Sequence, residues 1–156
     1  MNSKEKVLIH KGMDKVKRMK YEEALEIFER LIDMNPHIPE AWNNKGVALY
    51  RLGRPEESIE CYDRSLALDP ENMDAFRNKG LALHSLGRME EALQVYDTVL
   101  QKGGDAIDLE STAVVLIALG RLEEAMHCLL LANEKMHLDR FEREIEMLKG
   151  MTQAKE

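Results

Sequence analysis

Gly53-Arg54-Pro55-Glu56-Glu57-Ser58 recurs as Gly87-Arg88-Met89-Glu90-Glu91-Ala92, and again as Gly120-Arg121-Leu122-Glu123-Glu124-Ala125. The three glycines are spaced 34 and 33 residues apart. A weaker copy, Met19-Lys20-Tyr21-Glu22-Glu23-Ala24, lies 34 residues before the first of them. Two further markers keep the register: Lys11-Gly12, Lys45-Gly46 and Lys79-Gly80, then Asn35-Pro36 and Asp69-Pro70. Self-similarity at a period of roughly 20–50 residues is the signature of an array of stacked supersecondary units.

Inside each copy the apolar and small residues follow helical spacing. Trp42, Gly46 and Leu49 share one stripe of a first helix, and Ser58, Tyr62 and Ser65 share one stripe of a second. The glycine between them suits a position just past a helix C-terminus, where a left-handed backbone is cheap without a Cβ. The Asn-Pro or Asp-Pro pair ends the second helix, since proline neither continues it nor leaves the preceding residue free. The unit is therefore a helix pair that cannot bury its apolar face alone and must stack.

Large-small-large on a first helix, followed by small-aromatic-small-proline on a second, resembles the tetratricopeptide repeat family. Those positions read Trp42, Gly46, Leu49, Ser58, Tyr62, Ser65 and Pro70 in the second copy, and Phe76, Gly80, Leu83, Ala92, Tyr96 and Val99 in the third. The first reads Leu8, Gly12, Lys15, Ala24, Phe28, Leu31 and Pro36; the fourth reads Leu109, Ala113, Leu116, Ala125, Leu129 and Ala132. The resemblance implies an all-α, right-handed α-solenoid forming a single domain over residues 1–156. Its four helix-turn-helix repeats span residues 5–38, 39–72, 73–105 and 106–139.

A further amphipathic stretch, Leu138, Phe141, Ile145 and Leu148, predicts a capping helix over about 138–150, with fraying from Gly150 on. The copies also depart from the family. Lys11, Lys45 and Lys79 stand where it usually has leucine, a place where a lysine stem can lie on apolar surface while its ammonium reaches water. Gly103-Gly104 replaces the third proline and predicts a softer joint between copies three and four. Met19 replaces the first glycine, so a left-handed turn there is strained by ~1 kcal/mol or more.

The chain has 156 residues, enough for one domain with a real core. Its net charge of -7 argues against non-specific binding to nucleic acid or anionic membranes. The charge is uneven: residues 1–20 carry seven bases and two acids, so that segment is +5 and the remainder -12. The basic end reads as a solvated outer helix, with steering of a partner's orientation as the alternative. No apolar run approaches the ~18–20 residues of a membrane span. With no secretory signal and two widely separated cysteines, the expectation is a reduced, cytoplasmic protein.

The resemblance places first helices on a concave surface. In the repeat register its outward stripe runs through Ile9, Met13 and Val16, then Asn43, Asn44, Val47, Tyr50 and Arg51. It continues through Arg77, Asn78, Leu81, His84 and Ser85, then Glu110, Ser111, Val114, Ile117 and Ala118. The candidate partner-binding residues are Met13, Asn43, Asn44, Val47, Tyr50, Arg51, Arg77, Asn78, Leu81, His84, Val114 and Ile117. Amides among apolar patches suit a peptide's backbone and side chains together. Asn44 and Asn78 are equally suited to bridging adjacent helices, and Val114 and Ile117 to lying under the capping helix.

Chaperone-binding members of the family grip C-terminal carboxylates with Lys and Asn on the first helix, Asn on the third, and Lys and Arg on the fifth. The matching positions here are Ile9, Met13, Asn44, Asp74 and Asn78, of which Asn44 alone fits. One repeat later they are Asn43, Val47, Asn78, Ile107 and Ser111, of which Asn78 alone fits. Apolar residues and an acid do not clamp carboxylates, so a chaperone-tail clamp is not expected.

No constellation for catalysis, metal or cofactor emerges. His10, His37, His84, His127 and His137 lack metal-ligand spacing, and Gly103-Gly104 is not followed by a phosphate-loop Gly-Lys-Ser/Thr. Cys61 and Cys128 share one repeat position on second helices, where cysteine acts as a small buried apolar residue. The paired glutamates sit in first turns, at the positive end of the helix dipole. The expected function is a non-catalytic protein-interaction adaptor that holds a peptide or protein segment in the groove. Self-assembly of copies of the chain is the alternative, and nucleic acid is an unlikely partner on charge.

Overall fold

The computed structural model describes residues 1–136 and 142–153. Leu138 and Phe141 of the expected cap lie outside the described residues. Within them the chain is all helical: α1 (Ser3–Lys17), α2 (Tyr21–Met34), α3 (Pro39–Arg51), α4 (Pro55–Leu68), α5 (Met73–Ser85), α6 (Met89–Gln101), α7 (Ala106–Ala118), α8 (Leu122–Met136) and α9 (Glu142–Gln153). α9 runs through Gly150 rather than fraying there, and buries Ile145 and Leu148. The chain divides into two compact units, Met1–Leu86 with α1–α5 and Gly87–Glu156 with α6–α9.

Each helix starts and stops for local reasons. Asn2 caps α1 and Asp105 caps α7 through reciprocal capping boxes with Glu5 and Asp108. Proline occupies the first position of α3 and α4, where its missing N–H is no loss. α4, α6 and α8 open on the repeated arginine, which forks onto the second glutamate of its motif. Arg54, Arg88 and Arg121 donate through Nε and Nη2 to Glu57, Glu91 and Glu124 at 2.6–2.7 Å. The motif glutamates thus do more than meet the dipole.

The glycine after the first helix closes it. Gly53 N–H donates to Tyr50 O and Arg54 N–H to Leu49 O, both at 3.0 Å, the paired bonds of a Schellman turn. Gly53 has φ +76° to permit this, and Met19 adopts the same left-handed turn at φ 59°. The joint after α6 carries its own ties: Gly104 N–H donates to Val99 O at 3.0 Å, and Lys135 Nζ to Gly104 O at 3.1 Å.

In the first unit the packing rests on glycine against aromatic. A Cβ on Gly12 would stand 2.6 Å from the Phe28 ring, and one on Gly46 2.5 Å from Tyr62. Ala24, Phe28 and Ala48 form one cluster, with Val16 and Leu25 against it. Ile9, Leu31, Ile32, Ile38 and Ala41 form another, with Leu8 and Trp42. Ser58 and Ser65 are fully buried, and their hydroxyls donate to Pro55 O at 2.7 Å and Pro39 O at 2.9 Å. In the second unit Ala92, Val99, Ala113, Leu116, Ala125, Leu129 and Ala132 are buried at the positions the register assigns to the core.

Two substitutions test these contacts. Met19→Gly removes a left-handed non-glycine residue and is expected to raise stability in urea unfolding by about 1 kcal/mol. Gly46→Ala gains helix propensity of ~1 kcal/mol but overpacks against a rigid buried ring, which costs about 1–3 kcal/mol. Its melting temperature should fall, and Tyr62→Leu in the same chain should recover part of the loss.

Candidate functional site

In the first unit, α3 carries Asn43, Asn44, Val47, Tyr50 and Arg51. Arg51 is exposed and the other four are half-buried. α5 adds Arg77, Asn78 and His84, half-buried, and Leu81, 43% exposed. Met13 on α1 is 37% exposed. Two residues read as outward are not. Ile9 is buried at 7% and belongs to the cluster with Leu31 and Ala41, and Val16 packs on Ala24, Phe28 and Ala48. The physical reason is that this flank of α1 packs on α2 and α3: Ile9 joins Leu31 and Ile32 of α2 and Ala41 of α3, and Val16 joins Ala24 and Phe28 of α2 and Ala48 of α3.

The two asparagines divide their roles. Asn78 Nδ2 donates to Asn43 Oδ1 at 3.0 Å, bridging α5 to α3. Asn44 Nδ2 donates to Glu40 O at 2.8 Å within its own helix. Each amide retains polar capacity beyond that one bond. The Tyr50 hydroxyl makes no hydrogen bond to a described residue.

Met13, Asn43 and Asn44 converge on a recess of about 390 Å³ that Ile9, Glu40, Asp69, Asn72 and Asp74 complete. The carboxylates and Asn72 were not legible as site residues. Glu40 and Asp74 occupy the same repeat position in the first turns of α3 and α5. Asp69 and Asn72 come from the turn before α5, held by Asn72 accepting from Ala75 N at 3.0 Å and donating to Ser65 Oγ at 3.3 Å. The recess therefore presents carboxylates and amides over an apolar edge. Arg77 stands 3.6 Å from Asp74.

In the second unit Val114 is 47% exposed on α7, and Ile117 is half-buried. Ile107, two turns earlier in the same helix, is more exposed still. The cysteines differ from each other. Cys61 is buried, and desolvation pushes its thiol up to about 11. Cys128 is half-buried, its thiol raised by desolvation first and by Asp97 and Glu124 next. Both are free thiols. No helix among the described residues is long and apolar enough to cross a membrane.

Paired helices closed by glycine turns, with a polar first-helix face, define a helical-repeat module. The tetratricopeptide repeat model matches residues 11–72 and 48–107, and the chain belongs to that family, whose members generally mediate protein–protein interaction. A comparison with curated proteins returns no match. Among solved structures, MamA residues 41-end from Desulfovibrio magneticus RS-1 is similar in fold, with a TM-score of 0.86 at 21% identity over 98% of this chain and 88% of that one. The first TPR of Spaghetti (RPAP3), bound to the HSP90 peptide SRMEEVD, has a TM-score of 0.73 at 26% identity over 77% of this chain and 96% of that one. The second TPR domain of human RPAP3, in complex with the HSP70 peptide SGPTIEEVD, has a TM-score of 0.65 at 26% identity over 68% and 89%.

Thiolate is the reactive form of cysteine, so exposure and thiol acidity together order the two sites. At pH 8, iodoacetamide should label Cys128 first and Cys61 only after unfolding, as read by peptide mass spectrometry. Equal native rates would contradict the burial difference.

Proposed function

We propose that the protein is a non-catalytic interaction module that holds a peptide or protein segment against the first-helix face of α1, α3 and α5. The observation that carries this reading is the recess at Met13, Asn43 and Asn44. There, amide donors and acceptors with spare capacity stand beside apolar contacts from Ile9 and Met13, with Val47 and Tyr50 further along α3. A peptide backbone needs such paired donors and acceptors, and its side chains need the apolar edge.

The acid rim narrows the partner. The related RPAP3 domains are bound to peptides ending in Glu-Glu-Val-Asp. Here Glu40, Asp69 and Asp74 face the recess, and like charges repel a carboxylate tail. The partner segment is therefore neutral or basic where it meets this recess, and the protein is not a carboxylate-clamp binder. The cytoplasm is the proposed compartment, in keeping with two free thiols.

Two measurements test the reading. Isothermal titration of SRMEEVD into the protein should give no binding heat. Affinity capture from the native cell extract should recover a partner that Asn44→Ala combined with Tyr50→Ala loses by tenfold or more, on the order of 1.4 kcal/mol. Capture unchanged in that variant would overturn the groove assignment. A mass that rises with concentration in light scattering would make the partner a second copy of the chain.

A further inference from the structure

Three repeats place an acid directly after the second-helix aromatic: Glu29 after Phe28, Asp63 after Tyr62 and Asp97 after Tyr96. In the first unit, two of these acids receive a lysine from the first helix of the next repeat. Lys45 Nζ stands 3.2 Å from Glu29 Oε1, and Lys79 Nζ 2.6 Å from Asp63 Oδ1. These lysine side chains are only 22% and 25% exposed, so their stems lie packed while their ammonium groups reach the carboxylates.

The same register brings Thr112, not lysine, to Asp97. Thr112 turns inward, its hydroxyl donating to Asp108 O at 2.8 Å, and its side chain is buried. Among the described residues no hydrogen bond or ion pair reaches Asp97. Its charge acts at longer range on Arg121 and Cys128, and Arg121 is itself forked onto Glu124. Between Asp97 and Thr112 lies an open cleft of about 350 Å³, walled by Leu93, Leu100, Leu116 and Cys128. Glu123 and Glu124 also line it, so its charge is net negative even with Arg121 present.

We infer that this cleft receives a lysine side chain presented by a partner protein. The occupant follows from the fold's own usage: twice in this chain a largely covered lysine side chain ends in an ammonium on the acid at this repeat position. At Asp97 the acid and the walls remain and the lysine is missing. The cleft lies wholly in the second unit and is distinct from the recess lined by Asn43 and Asn44, so either binding assignment can fail without the other.

The test is a two-dimensional amide NMR titration of the full chain with Nα-acetyl-lysine N-methylamide, using the norleucine analogue as neutral control. Saturable shifts confined to residues lining the cleft are expected with the lysine compound alone. Asp97→Asn removes an exposed charge without disturbing the core and should weaken binding about fivefold, the equivalent of ~1 kcal/mol. Thr112→Lys supplies the missing stem within the chain and should abolish the shifts; if that variant does not fold, Asp97→Asn decides alone. Equal shifts from the norleucine analogue, unchanged affinity in Asp97→Asn, or no saturable shift would overturn the proposal. Tighter binding of putrescine than of the lysine compound would overturn it too, by making the cleft a small-amine site.

Discussion

In the first two repeats, the ring of an aromatic residue on the second helix, laid against a glycine on the first, sets the distance between the two helices. With Cβ positions on Gly12 and Gly46 only 2.6 and 2.5 Å from the rings of Phe28 and Tyr62, nothing larger than hydrogen fits. Close approach lets Ala24, Ala41 and Ala48 be completely buried with small side chains. In the first unit, one edge of α1 and of α3 is consumed by its own partner helix, and another by its neighbours. What remains on α3 is Asn43, Asn44, Val47, Tyr50 and Arg51, a face that packing leaves at least partly accessible.

Charge is organised around the same skeleton. The Arg–Glu fork recurs at the start of α4, α6 and α8, while Lys45 and Lys79 tie a first helix to the second helix before it. Exposed pairs of this kind contribute little each, typically below ~1 kcal/mol. Arg54 and Arg121 are held more firmly protonated by their glutamates, and Glu57 and Glu124 below the usual carboxylate range. A carboxylate with a depressed folded value contributes stability that is present above its unfolded value near 4.5 and is lost as pH falls through the folded one.

Much of this skeleton is legible in the sequence because it is periodic. Gly53, Gly87 and Gly120 mark left-handed turns, and Ser58, Tyr62 and Ser65 mark a buried stripe, through local spacing alone. The exceptions are non-periodic. Ile9 falls in the core because α1 turns that face onto Leu31, Ile32 and Ala41, a rotation the register does not carry. The Asn43–Asn78 bridge needs the actual rotation of α3 against α5, and the acid rim needs the turn that carries Asp69 and Asn72 across to Glu40. Cys61 and Cys128 share a register position yet differ in burial, since the neighbouring Lys45 position becomes Thr112 in the last repeat and leaves a cleft.

If the glycine–aromatic contact is the constraint on which the first unit rests, it must belong to the part of the chain that opens last. Native-state amide hydrogen exchange measures this directly. The slowest-exchanging amides of Met1–Leu86 should cluster along α1–α4 around Gly12, Phe28, Gly46 and Tyr62, exchanging only with global unfolding. Local opening at those residues, with greater protection at the helix ends, would contradict it.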